Sequence, residues 1–237
     1  MEKRVAVYAG SRELYPFMTG SIKSLIKNGG VDKIYILIED DQYPYPLPDM
    51  IETINMSGQN FFTPDGPNYH DKFTYLALCR VCLTKILPPE IETVLSIDCD
   101  TVVLKNIDDI WAQDLTGYYM AMTMEPYKCR WEEKYFNAGV NLQNLKLIRE
   151  DGKDDEMIRL LNTTKFDCVD QDAFNIACKG KIMEMPGEYN HNRWTVKPFR
   201  EVCIEHFAGC GVRNWGCHEL MQRYIQMSWK EVLKGRR

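Results

Sequence analysis

The chain has 237 residues, 45% of them hydrophobic, enough to bury one substantial core, and it reads as one domain over residues 1–237. Its 29 basic and 34 acidic residues leave a formal charge of −5, without the basic stripe a nucleic-acid partner requires. No uninterrupted apolar stretch reaches the roughly 18 residues of a membrane span, and Met1–Tyr8 carries no signal-peptide core, so a soluble chain without stable membrane insertion is expected.

In chain order, Val5–Ala9 reads as a first strand, Phe17–Lys27 as a helix ended by Asn28-Gly29-Gly30, and Lys33–Ile38 as a second strand. The proline- and tyrosine-rich Gln42–Pro48 and the segment Phe61–Tyr69 are loops. A long helix is expected over Asp71–Leu87, stopped by Pro88-Pro89, followed by strands at Thr93–Ile97, Tyr118–Met124 and Val140–Leu142. Helices at Asp154–Leu161, Gln171–Lys179 and His218–Leu233 complete the pattern, and the alternation predicts an α/β fold with a mostly parallel mixed sheet flanked by helices.

Nine cysteines, an odd number without a disulfide framework, fit reduced thiols and a cytoplasmic location. Cys79 and Cys82 have CxxC spacing, and Cys203, Cys210, Cys217 and His218 offer further soft ligands. The first pair falls inside an expected helix and no second CxxC exists, so buried structural thiols are preferred to a zinc site.

The apolar run Thr93–Ile97 leads directly into Asp98-Cys99-Asp100. Two carboxylates at the carboxyl end of a buried strand repel each other unless a cation or donors neutralise them, and such strand ends are where open α/β sheets bind ligands. A solvated turn would need only the same short motif. Arg80 shares a helical face with Phe73, Leu76, Leu83 and Leu87, so its guanidinium needs an anion, either a phosphate or the Asp98 carboxylate. Asn137-Ala138-Gly139 enters a strand after an aromatic pair, with Gly139 able to admit a ligand close to the backbone and Asn137 able to give it directed hydrogen bonds. Asp170-Gln171-Asp172 opens a helix, with Asp170 as the expected cap.

These blocks together resemble the retaining glycosyltransferases of family 8 over about residues 4–216. They are Leu78-Cys79-Arg80-Val81 before Ile86-Leu87-Pro88, Leu95 to Thr101, Tyr135 to Leu142, Val169 to Asn175, and Glu205 to Gly209 continuing through Arg213-Asn214-Trp215. The resemblance implies a GT-A (Rossmann-like) fold and a hexosyltransferase taking a nucleotide sugar, with a UDP-sugar expected and a glycan, protein or small molecule as acceptor. It implies that Asp98, Asp100 and His206 bind Mn²⁺ or Mg²⁺, the imidazole favouring Mn²⁺. Donor contacts fall to Ala9, Ser11, Arg80, Asp98, Cys99, Asn137, Ala138, Gly139, Gly209 and Arg213, and catalytic roles to Gln171, Asp170 and Asp172.

Because the amide of Gln171 is a poor nucleophile, a front-face substitution is favoured, with double displacement through Asp170 or Asp172 as the alternative. Ser11 stands where bacterial members place an Asp that reads uracil, and Arg213 replaces a usual Lys. The chain ends soon after that block, without a basic and aromatic extension, so a soluble acceptor is favoured over a lipid-linked one. Two other readings remain: a sugar-phosphate nucleotidyltransferase, because Ala9 to Pro16 echoes a glycine-rich loop with a single glycine, and a non-catalytic nucleotide-sugar-binding module.

Overall fold

The structure is a computed structural model that describes residues 3–70, 74–125, 134–195, 201–209 and 218–236. Seven strands form one sheet: β1 (Val5–Ala9), β2 (Lys33–Ile38), β3 (Ile51–Asn55), β4 (Thr93–Ile97), β6 (Met120–Met124), β7 (Phe136–Asn144) and β8 (Ile182–Met185), in the order β3-β2-β1-β4-β7-β6-β8. The pairs β1–β2, β2–β3, β1–β4 and β6–β8 are parallel, and β7 alone runs against its neighbours β4 and β6. The apolar runs of β1, β2 and β4 are buried on both faces, as strands sandwiched between helical layers require.

One face of the sheet is covered by α1 (Tyr15–Asn28), whose Met18, Ile22, Leu25 and Ile26 pack on Ala6, Tyr8, Ile34 and Leu95. The other is covered by α2 (Tyr75–Leu78), α3 (Leu83–Ile86), α5 (Leu145–Glu150), α6 (Lys153–Thr163) and α7 (Val169–Ala177), which bury Leu76, Leu83, Leu161 and Phe174 against Val7 and Val94. The short α4 (Asp108–Trp111) and the C-terminal α8 (Glu219–Gln226) and α9 (Trp229–Lys234) lie around the α1 side. Among the described residues, no helix is long and apolar enough to cross a membrane.

Two expected helices are interrupted. In the expected helix Asp71–Leu87, a 3-10 turn at Cys79–Val81 separates α2 from α3, and Cys82 leaves the helical region with φ −114° and ψ 26°. The break falls on Arg80, whose guanidinium is bonded to oxygens outside the helix; those bonds outweigh helix continuity. His218–Leu233 divides before Ser228, because Ser228 caps α9 in a reciprocal capping box with Glu231. The expected strand Val140–Leu142 is the middle of the nine-residue β7, where buried Asn137, Asn141 and Gln143 mask the apolar signal. Four strands absent from the sequence reading, β3, β8, β5 (Thr101–Val103) and β9 (Ile204–His206), have only three to five residues each.

The antiparallel pair β5–β9 forms a separate small sheet in the register Thr101↔His206. Among the described residues, no strand pairs with the other edge of β5. Side chains of α1 at spacings of three and four take that place: Ser21 Oγ meets Thr101 Oγ1 at 2.8 Å, Ser24 Oγ accepts from Val103 N at 2.8 Å, and Asn28 Nδ2 donates to Val103 O at 2.8 Å. Ser24 is fully buried, so Ser24→Ala should orphan the Val103 N–H and destabilise the chain by about 1–3 kcal/mol. Urea denaturation measures this; an unchanged midpoint would mean that water replaces the hydroxyl.

Candidate functional site

The chain leaves β4 at Asp98-Cys99-Asp100, at the carboxyl ends of the parallel strands. Both sides of the exit are fastened: Asp98 N donates to Gly139 O at 2.8 Å, and Thr101 Oγ1 donates to Asp98 O at 2.8 Å. Cys99 and Asp100 form a turn between β4 and Thr101. Cys99 turns into the core, its thiol donating to Ala9 O at 3.3 Å, and burial pushes that thiol well above its usual range, which makes it inert. Ser11 lies beside the end of β1, its hydroxyl buried and without a hydrogen-bond partner among the described residues.

His206 is distant in sequence, and the β5–β9 pairing delivers it. With Thr101 opposite His206, and Phe207 N donating to Asp100 O at 2.8 Å, the imidazole Nε2 lies 3.3 Å from Asp100 Oδ1 and 3.5 Å from Asp98 Oδ2. Ligand atoms of Asp98, Asp100 and His206 all fall within 4.8 Å of one another. Desolvation opposes a charge on the His206 ring, yet Asp100 and then Asp98 outweigh it and raise its pKa. Among the described residues, Arg80 is the guanidinium in contact with Asp98 and Asp170, and Asp100 faces the His206 ring, so the ionised cluster carries an excess of negative charge. Carboxylate oxygens with one imidazole nitrogen form a donor set that fits Mn²⁺ or Mg²⁺.

The sequence reading gave Gly139 to a ligand against the backbone. The space is taken by His206 instead: a Cβ on Gly139 would stand 2.1 Å from the imidazole Cε1. Gly139→Ala should therefore displace the ring, destabilise the chain by about 1–3 kcal/mol and weaken Mn²⁺ binding. Thermal melting and Mn²⁺ titration check this, and a variant matching wild type in both would show that the ring has room to move.

Arg80 is buried, with 6% of its surface exposed, and finds its anion inside the protein. It bonds Asp98 Oδ1 and Ala138 O, donates from Nε to Ser96 Oγ at 3.1 Å, and sits 3.3 Å from Asp170 Oδ2. Of the two anions open to the sequence reading, the carboxylate is the one in contact. The Asp170 contact lies outside hydrogen-bond geometry, which leaves Oδ2 buried without a donor. Asp170 does not cap α7 as expected. Cys168 is the N-cap residue, its N–H donating to Asp172 Oδ2 at 2.8 Å, while Val169 holds an unusual φ of +25° that precedes Asp170.

Burial raises the Asp170 carboxyl to about 6, against the pull of Arg80. Between its ordinary value of 3.8 and about 6 the folded chain binds more protons than the unfolded chain, so this group's contribution to stability falls as pH rises through that window. Desolvation raises Asp98 in the same direction. Asp170→Asn should reduce the slope of stability against pH between about 4 and 6 in metal-free protein. Urea midpoints across that range provide the measurement; a slope equal to that of wild type would assign the effect to other groups.

Gln171 accepts from Ala138 N at 3.0 Å through Oε1, and its amide nitrogen, which has two hydrogens, also meets the Tyr135 hydroxyl. Both Asp172 oxygens are occupied, one by Tyr135 Oη at 2.6 Å and the other by the Cys168 N–H. Asn137 is buried, its oxygen accepting from Gly139 N and Asn190 Nδ2 and its nitrogen donating to Glu125 Oε2 at 2.7 Å. Gly209 adopts a positive φ of 66°, and a Cβ there would come within 2.3 Å of the Trp194 ring. Arg213 lies outside the described residues, as do Cys210 and Cys217.

Sequence reasoning missed Ser96, Glu125, Tyr135 and Asn190. Ser96 is a lone polar residue within an apolar strand, and Asn190 opens the amide-rich run Asn190-His191-Asn192. Those were the available signals. Tyr135 stood in the aromatic pair before Asn137 without a role of its own, and Glu125 had no signal.

Comparison with known proteins agrees with this geometry. The sequence profile of Glycosyl transferase family 8 matches residues 7–207, and the chain belongs to that family. A Haemophilus influenzae protein named as a glycosyltransferase is 27% identical over 226 residues, spanning 84% of this chain and 67% of its own length. The structure of the glycosyltransferase GlyE of Streptococcus pneumoniae superposes with a TM-score of 0.75 at 19% identity, covering 99% of this chain and 63% of GlyE, so the chain spans less than two thirds of that protein. The galactosyltransferase LgtC, solved with donor and acceptor sugar analogs, gives a TM-score of 0.65 at 16% identity over 95% of this chain and 98% of its own. By family the chain is a glycosyltransferase, and its mixed α/β fold is of the GT-A type.

Proposed function

We propose that the chain is a retaining hexosyltransferase that takes a sugar from a nucleotide donor, with a UDP-sugar expected, and passes it to a glycan, protein or small-molecule acceptor in the cytoplasm. The observation that carries this reading is the convergence of Asp98, Asp100 and His206 beside Arg80, Asp170 and Gln171 at the carboxyl ends of the strands. Asp98, Asp100 and His206 would hold Mn²⁺, with Mg²⁺ as a weaker fit to the imidazole. When bound, such an ion supplies positive charge against a departing diphosphate.

The remaining roles follow from which atoms the protein leaves free. Arg80 is committed to Asp98 and Asp170, so it fixes the carboxylates rather than grasping a phosphate. Gln171, its oxygen tied to the Ala138 N–H and its amide in contact with Tyr135, offers its remaining amide N–H to the sugar or to the oxygen leaving it. Asp172 is spent on Tyr135 and the Cys168 N–H, which removes it as a nucleophile. Asp170 is paired with a guanidinium and Gln171 is an amide, so a front-face substitution suits the site better than double displacement. The departing phosphate then takes the acceptor's proton. Ser11, beside the end of β1, faces the nucleobase end, while Gly209 and Arg213 are assigned to the phosphates.

A donor bound with Mn²⁺ should stabilise the fold by mass action, about 2.7 kcal/mol at a hundredfold excess over Kd. Thermal melts with UDP-glucose, UDP-galactose, UDP-N-acetylglucosamine and GDP-sugars, each with and without Mn²⁺, identify the donor. Asp100→Ala should abolish the Mn²⁺-dependent shift while the chain still melts cooperatively. A full shift in that variant overturns the reading.

A further inference from the structure

Asn190 lies in the loop before β9, buried with 3% of its surface exposed, between Asn137 and His206. Its side chain contacts both: Asn190 Nδ2 is 2.8 Å from Asn137 Oδ1, and Asn190 Oδ1 is 2.7 Å from His206 Nδ1. Side-chain amides look alike from either end, so their orientation has to be deduced from a partner whose role is unambiguous.

The Gly139 backbone N–H is that partner, since it can only donate. It points at one Asn137 side-chain atom at 2.9 Å, so that atom is the oxygen. The opposite end of Asn137 is then the amide nitrogen, which donates to the Glu125 carboxylate at 2.7 Å, a group suited only to accept when ionised. Because the Asn137 oxygen also faces Asn190, the Asn190 atom facing it is the nitrogen. The other Asn190 atom is the oxygen, and it faces His206 Nδ1. An oxygen there demands a proton on Nδ1. In the neutral ring Nε2 is then bare, and Nε2 is the atom directed at Asp98 and Asp100.

We infer that Asn190 is a positioning residue that fixes the His206 tautomer, so that the neutral imidazole offers an Nε2 lone pair to a divalent cation shared with Asp98 and Asp100. The Gly139 N–H, Asn137 and Asn190 form a relay whose polarity is set by one backbone group, and Gly139 also provides the flat surface on which the ring lies. This inference rests on the metal reading above only for its use, not for the proton's location. Partners on the far nitrogen of a ligating histidine typically govern affinity by about 10–100-fold.

The test is long-range ¹H–¹⁵N correlation of histidine-labelled, metal-free full chain at alkaline pH, where the rings are neutral; only four histidines need assignment. His206 should show a protonated Nδ1 and a bare Nε2. Asn190→Leu, close in volume but without an acceptor, should mix the tautomers and weaken Mn²⁺ binding, followed by the electron paramagnetic resonance signal of free Mn²⁺, by about 10–100-fold. Asn190→Asp keeps an oxygen opposite Nδ1 and should hold the single tautomer that Asn190→Leu loses, while giving up the bond to Asn137 Oδ1. A wild-type His206 protonated on Nε2, or an Asn190→Leu chain with an unmixed tautomer and unchanged Mn²⁺ affinity, overturns the inference. The wild-type spectrum decides the matter even if the leucine variant does not fold. A bare Nε2 in a chain that binds no Mn²⁺ would uphold Asn190's role and remove the metal reading instead.

Discussion

The site depends on one electrostatic constraint: three carboxylates, Asp98, Asp100 and Asp170, gather around a buried guanidinium that cannot neutralise them all. Like charges this close are tolerated only where opposite charge and donors surround them, and their burial enlarges every such interaction. Arg80 meets the demand for Asp98 and Asp170, and its bonds to Ser96 and Ala138 tie that pair to the centre of the sheet. Asp100 is left to His206, so the geometry separates a carboxylate pair fixed by the protein from an edge open to a cation. The break between α2 and α3 is a local cost of this arrangement, set at the residue whose side chain leaves the helix.

Much of the architecture was legible because its cause is local. β1, β2 and β4 are short apolar runs bounded by charged or turn residues, and α1 carries a clear helical stripe. The two aspartates after β4 were readable for the same reason, as charged residues placed abruptly after a buried strand. The joining of His206 to them was reached through family likeness, with Gly209 three residues on as its local support. The physical link is the pairing of two three-residue strands far apart in the chain, and strands that short have no periodicity to read.

Other residues were placed near the site with the wrong partner because sequence shows a residue's capacity and not which neighbour claims it. Gly139 was expected to make room for a ligand and makes room for a protein side chain. Asp170 was expected to cap α7 and is turned towards Arg80, with Val169 held in a backbone region unfavourable to a β-branched residue. β7 was under-read because buried asparagine and glutamine side chains interrupt its apolar pattern, and those same amides hold up the site. Polar interruptions in a central strand are thus a record of function written into the core.

The small sheet formed by β5 and β9 has both outer edges occupied, one by serine and asparagine side chains of α1 and the other by main-chain bonds between His191 and the backbone of Ile204 and His206. Two short strands so enclosed offer no ladder on which a second molecule can add itself, the usual route from an exposed strand to aggregation. The helix that supplies these hydroxyl and amide groups also buries β5 completely, so the segment following the acidic pair presents no open edge to solvent.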